Sequence, residues 1–256
     1  MTLNHISKLA NQAKGRGIKE GGIEELSVKR SCNEIIGNHA PASLKLMDIA
    51  KIFVSSDDLI VAQTYCSFGD NDNDDRDKAN RDKATQELAD RLPSYGDFNL
   101  GLHVGDQPSQ VHRRRGQLLA ALNAHIQQNT HQASSITQLH WVNQVHGNHV
   151  IDVDAQPLSL SAQDADAMIS QSAQCALAIM TADCVPIVLY QPASGQIGAI
   201  HAGWQGLANG IIAATVKRFN PSMPIYAWIG ACISQANYQV STEVASKLVE
   251  SCLSLG

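Results

Sequence analysis

The sequence predicts a layered α/β domain, and three observations predict it. Short, almost continuous apolar runs recur at 175–180, 185–190 and 197–200, the pattern of strands buried on both faces. Stretches with an apolar face at helical spacing, 206–219 and 242–253, flank a further strand at 225–229. The chain has 256 residues, 44% of them hydrophobic, enough to bury such layers in one large domain or two small ones.

Composition removes several alternatives. No stretch approaches the ~20 apolar residues of a membrane helix, and the polar start from Met1 to Gly15 lacks the apolar core of a secretory signal. A net charge of −5 gives no electrostatic footprint for general nucleic-acid binding. Six cysteines without regular spacing do not form a disulfide scaffold, so a reducing cytoplasm is the expected compartment. Ten histidines are the unusual feature.

In chain order, residues 1–50 form a poorly patterned extension. A short helix at 4–14 is interrupted by Gly15, Gly17, Gly21 and Gly22. The main domain is expected over 51–256, opening with strands at 52–54 and 59–62 around a Ser55–Asp58 turn. Residues 70–91 crowd acids against bases with almost no apolar residues, as in a solvated insertion, partly helical near 84–92. Ser109 is the expected N-cap of a helix burying Val111, Leu118, Leu119, Leu122 and Ile126. A strand at 139–145, a Gly147-Asn148 turn and a strand at 149–153 read as a hairpin. The helix at 206–219 buries Leu207, Ile211, Ile212, Val216 and Phe219, and the helix at 242–253 carries Glu243 in its first turn.

Potential ligands stand where apolar strands stop: His146 in Gln144-Val145-His146-Gly147, Cys184 in Thr181-Ala182-Asp183-Cys184, and His201 in His201-Ala202-Gly203-Trp204. A strand, a turn and a strand back return the chain from Cys184 to His201 at one end of a sheet, where His146 can join them. Two imidazoles and a thiolate suit zinc and leave a fourth position open; copper accepts the same donors. Taken singly, a strand-end cysteine is more often a small buried hydrophobe, and a histidine more often a hydrogen-bonded structural residue, than a ligand. Cys184 as nucleophile with His201 as base is the metal-free alternative.

The surrounding words sharpen this. Asn99-Leu100-Gly101-Leu102-His103-Val104-Gly105-Asp106, the Gln144 motif, Asp166-Ala167-Met168, Thr181-Ala182-Asp183-Cys184-Val185-Pro186 and His201-Ala202-Gly203-Trp204-Gln205-Gly206-Leu207 occur in that order. Together they resemble the YfiH-type family, also called laccase-domain proteins, polyphenol oxidases or purine nucleoside phosphorylases. The resemblance implies an α/β/α layered fold with a mixed sheet, shared with toxin-type cysteine hydrolases. It implies one metal, usually zinc, on His146, Cys184 and His201. It implies a purine nucleoside and phosphate as partners: phosphorolysis of adenosine, inosine and methylthioadenosine, with adenosine deamination. Copper-dependent phenol oxidation and cysteine-type amidase editing of peptidoglycan precursors are the other activities attached to the family.

The sequence ranks these readings. It has no His-x-His pair of the kind that holds copper in multicopper laccases, and it lacks the H-x-E with P-C-x-x-C pattern of zinc deaminases. No glutamate adjoins a candidate ligand, so Asp183 is the expected proton shuttle for deamination. Asn99, His103 and Asn143 are candidate substrate contacts. Arg113, Arg114 and Arg115 are the basic cluster near the motifs, and helical spacing aims only one or two inward, with Arg114 the candidate for phosphate. Trp204 is placed to stack on a purine or to pack. Two departures from the family pattern matter: Thr64-Tyr65-Cys66-Ser67-Phe68-Gly69 replaces a segment with an arginine, and the chain stops at Gly256, just after its last helix. The expectation is a C-terminally truncated member, for which a degenerate, non-catalytic metal-binding role is a further alternative. The oligomeric state has no signal in the sequence.

Overall fold

A computed structural model describes residues 44–65, 95–96, 98–130, 135–155 and 162–254. The expected helix at 4–14 and the charged insertion at 70–91 lie outside the described residues. The chain divides into two compact units, Met1–Ala133 and Ser134–Gly256.

In the first unit, α1 (Leu46–Ile49) buries Leu46 and Ile49 and leads into β1 (Ala50–Ser55). An antiparallel hairpin joins β1 to β2 (Ile60–Thr64), with a bulge between Ile52 and Val54. Ser56 closes its turn, its Oγ accepting the Leu59 N–H at 3.1 Å and donating to the Leu59 carbonyl at 3.2 Å. The long helix α2 (Pro108–Asn129) buries Val111, Leu118, Ala121 and Ile126. Ser109 is not its N-cap. The helix starts two residues earlier than that cap implies, at Pro108, whose fixed φ and missing N–H suit a first helical position, and Gln107 stands at the cap.

The second unit is α/β with a mixed sheet. Its strands are β3 (Gln138–Trp141), β4 (Val150–Asp152), β5 (Ala167–Ser170), β6 (Cys175–Ala178), β7 (Val185–Gln191), β8 (Gln196–Ala202) and β9 (Tyr226–Ile229). Its helices are α3 (Trp204–Ala208), α4 (Ile211–Val216) and α5 (Thr242–Ser254). The five-stranded sheet runs β4-β5-β8-β7-β9, parallel between β4 and β5 and antiparallel elsewhere, while β3 and β6 form a separate parallel pair.

The expected hairpin across Gly147-Asn148 does not form. β3 pairs with β6, Leu139 opposite Ala176, and β4 pairs with β5, Val150 opposite Ala167, so the turn carries the chain from one sheet to another. The expected helix over 206–219 is broken. Gly210 takes a left-handed φ of 77° between α3 and α4, a conformation glycine adopts without penalty. The break changes the buried stripe: Ile211 and Phe219 are buried, whereas Ile212 and Val216 are exposed.

Two apolar layers hold the sheet. On one, Ile211 and Phe219 pack with Val150, Ile169, Ile187 and Ile200. On the other, Val142, Ile151 and Met168 pack with Leu177 and Ile179, at and beyond the end of β6. Among the described residues no helix is long and apolar enough to cross a membrane.

Candidate metal centre

The β7–β8 register builds the first half of the site. Val185 lies opposite Ala202 and Pro186 opposite His201, so Cys184, just before β7, and His201, near the end of β8, reach the same end of the sheet. His146 arrives from the turn after β3. Ligand atoms of His146, Cys184 and His201 all lie within 4.8 Å of one another. The Cys184 Sγ is 3.9 Å from His146 Nε2, and the two imidazoles meet edge to face with centroids 4.7 Å apart. His201 is 3% exposed, Cys184 half-buried and His146 exposed.

Asp166 organises the three. It is fully buried at the mouth of β5. Its Oδ1 accepts the His201 Nδ1–H at 2.8 Å and the His146 backbone N–H at 2.9 Å. Its Oδ2 accepts the backbone N–H groups of Gly147 at 2.6 Å and Val145 at 3.3 Å. A buried carboxylate needs such donors, and they in turn fix what they belong to. With Nδ1 bound to Asp166, His201 turns its other nitrogen to a ligand, the usual support for a metal-bound imidazole. His146 has φ of 60°, unusual for a residue other than glycine, and the carboxylate grip on its turn stabilises that conformation.

Two further residues shape the site. Gln144 donates to the Met180 carbonyl at 2.7 Å and accepts the Met180 N–H at 2.8 Å, clamping the chain that leads into Cys184. Gly203 leaves room: a Cβ there would stand 2.9 Å from His146 Cδ2 and 3.0 Å from Cys184 Sγ. Burial pushes the Cys184 thiol above its ordinary pKa, and the negative charges of Asp183 and Asp166 push it further. A cation among these ligands opposes all three effects, so the donor set fits a metal ion.

A cavity of about 770 Å³ opens beside His146, with Val145, Trp204, Asn209, Lys247 and Glu250 among its walls. That volume suits a small-molecule ligand. Asp183 is exposed next to Cys184, and its backbone carbonyl accepts the N–H of Ile233 at 3.2 Å. Asn143 donates to the Asp164 carboxylate at 2.6 Å.

The remaining candidates belong to the first unit. Arg114 forms a 2.6 Å ion pair with Asp106, while Asn99 donates to Asp106 at 3.0 Å and brackets Gly101 through both of its amide atoms. Arg115 donates twice to the Leu100 carbonyl. Arg113 and His103 are exposed.

Sequence reasoning missed the roles of Asp166 and Gln144. A signal for Asp166 was present: an acid between Ala165 and Ala167, leading straight into the apolar Ala167-Met168-Ile169, stands at the entry of a strand where few polar partners are at hand.

Fold and site define an α/β protein whose described residues include a His/Cys/His cluster with the donors and spacing to hold a metal ion. A family model described as multi-copper polyphenol oxidoreductase laccase matches residues 84–254, and the chain belongs to that family. A relative from Escherichia coli K12, named purine nucleoside phosphorylase YfiH, is 36% identical over 155 residues, covering 60% of this chain and 58% of that protein. A Corynebacterium glutamicum protein, also named purine nucleoside phosphorylase, is 36% identical over 157 residues, covering 59% of each. Among solved structures, a Neisseria meningitidis protein is 30% identical with a TM-score of 0.49, covering 60% of both chains. The matched region thus spans less than two thirds of the curated relatives' length.

Proposed function

We propose that the chain is a zinc-dependent purine nucleoside enzyme, held in the cytoplasm and acting on adenosine, inosine and methylthioadenosine. The observation that carries this reading is the His146, Cys184 and His201 cluster, with Asp166 orienting His201 beside an open cavity large enough for a small molecule. The names of the curated relatives support the same substrate class.

In phosphorolysis, phosphate forms a bond to the sugar carbon as the bond to the base nitrogen breaks, and the base leaves with a proton. Deamination exchanges the adenine amino group for a water oxygen and releases ammonia. A zinc ion bound here supplies a Lewis acid. Asp166 keeps His201 aimed, Trp204 lines the cavity, and Lys247, which pairs with Glu243 at 2.7 Å, brings the cation in its wall for phosphate. Asp183, exposed beside Cys184, serves as the proton shuttle. Asn143 is a candidate substrate contact of the second unit; within the first unit, Arg114 and Asn99 shape the loop at 99–106 through Asp106, with His103 exposed on it.

The test is incubation of purified protein with adenosine, with and without phosphate, while adenine, inosine and ribose phosphate are resolved. Adenine formed only with phosphate establishes phosphorolysis, and inosine establishes deamination. No turnover at full zinc occupancy rejects the enzyme in favour of metal binding alone. Copper is the competing metal, because a thiolate with two imidazoles suits it and the family description includes copper. Elemental analysis of the purified protein, with phenol oxidation assayed alongside, decides between them.

A further inference from the structure

β7 is flanked on both sides near Cys184. On one side Gly203 follows the β8 register. On the other, β9 pairs antiparallel with β7, Ile187 opposite Ile229 and Val188 opposite Trp228. Two backbone hydrogen bonds carry that pairing past the ends of the strands. Gly230 N–H donates to the Pro186 carbonyl at 2.9 Å, and Ile233 N–H donates to the Asp183 carbonyl at 3.2 Å. Both join residues that the β7–β9 register places opposite each other. The same register places Cys232 opposite Cys184, between the two bonds.

We propose that Cys184 and Cys232 form a redox-sensitive dithiol whose disulfide withdraws Cys184 from the metal-binding set. Opposed residues of antiparallel chains have Cα atoms about 4.5–5.5 Å apart, inside the roughly 4.4–6.8 Å range that a disulfide spans. The two flanking bonds are an odd number of residues apart, which a regular ladder does not allow. The ladder is therefore irregular there, while the bonds to Pro186 and Asp183 still hold the two backbones together on either side of Cys184 and Cys232. Cys232 is exposed and Cys184 half-buried, so solvent reaches the pair, whereas Cys175 is buried.

The oxidant is a peroxide. One thiolate takes an oxygen atom to become a sulfenic acid, and the peroxide's other oxygen leaves as water. The second thiolate then attacks that sulfur, forming the S–S bond and expelling the oxygen as a second water. Two thiols lose two electrons and two protons, and the peroxide gains them. A dithiol reductant reverses the change.

The consequence for the metal rests on Cys184 being a ligand; the cross-link itself does not. The experiment treats the full chain, metal-free and zinc-loaded, with hydrogen peroxide, then maps disulfides after digestion without reductant. Zinc release is followed with a chromogenic chelator. The expected result is a Cys184–Cys232 cross-link, zinc lost in step with it, and zinc regained after reduction. Cys232→Ser abolishes the cross-link, and Cys252→Ser leaves it intact. Cys184 joined to another cysteine, both thiols still free after the others are oxidised, or a cross-link formed with zinc still held overturns the proposal. A chain that takes up no zinc yet forms the cross-link retains the dithiol and rejects the metal reading instead.

Discussion

Asp166 Oδ1 stands 2.8 Å from His201 Nδ1, and the same oxygen accepts the backbone N–H of His146. One buried carboxylate therefore sets the ring of one ligand and the backbone of another. The candidate metal centre rests on this carboxylate as much as on its own three side chains.

Asp166→Asn tests that relationship. The amide puts an NH₂ where the carboxylate accepted N–H donors, so at least one buried donor loses its acceptor. Zinc affinity is expected to fall about 10- to 100-fold, and folding stability by about 1–3 kcal/mol. Chelator competition and a thermal melt measure the two. An unchanged zinc affinity contradicts the role assigned to Asp166.

Gly203→Ala isolates sterics from backbone conformation. Gly203 has φ of −70°, which alanine adopts freely, yet the added Cβ enters the space of His146 Cδ2 and Cys184 Sγ at 2.9 and 3.0 Å. The variant is expected to keep its circular dichroism spectrum and lose most of its bound zinc. Full metal content in that variant would show that the ligands move aside easily.

The Cys184 thiol gives a pH dependence with a definite sign. Its pKa is raised from an ordinary 9.0, first by burial and then by Asp183 and Asp166, so the metal-free site holds a proton through neutral pH. Zinc uptake must expel that proton, and affinity rises with pH. In the metal-free chain the unfolded thiol ionises first. The thiol's contribution to stability is therefore present below the ordinary pKa and lost as pH rises from there through the higher folded value. Calorimetry in buffers of different ionisation enthalpy detects the released proton. Asp183→Asn, which removes the second-ranked cause, is expected to lower the Cys184 pKa in the metal-free chain, so that alkylation of that thiol speeds up at a lower pH than in the parent.

Arg114→Ala tests the first unit. Burial pushes the Asp106 carboxyl up, but hydrogen bonds from Asn99, Arg114 and the Gln107 N–H, with the Arg114 charge, more than reverse this and hold it below its ordinary value. Asp106 therefore contributes stability above its ordinary pKa that is lost as pH falls through the lowered one. Removing Arg114 leaves this mostly buried carboxylate short of a partner, at a cost of about 1–3 kcal/mol. Urea melts across the acid range should show the loss near neutral pH and its shrinkage on acidification.

Much of this was legible in the chain. The apolar runs that became β6, β7 and β8 have few alternatives to burial, and a strand, turn and return explains why Cys184 and His201 meet. The hairpin misreading has a physical source. Gly147-Asn148 is good turn chemistry, but local chemistry carries no information on which strand each arm will pair with, and both arms found parallel partners distant in sequence. The broken helix has another source: apolar periodicity runs through Gly210, whereas the left-handed conformation there depends on the fold. The grip of Asp166 on the 145–147 turn is long-range as well, so only its burial between small apolar neighbours was open to inference.

The placement of two ligands on one hairpin also orders events in time. β7 and β8 are joined by a short turn, and hairpins of this kind close in about 1–10 µs. Cys184 and His201 are therefore expected to meet early, and His146, 38 residues from Cys184 along the chain, to join once β5 brings Asp166 into place. A folding chain presents a two-armed clasp before it presents a pocket. On that order, metal supplied during refolding meets the Cys184 thiol and one imidazole first, and the third arm closes last.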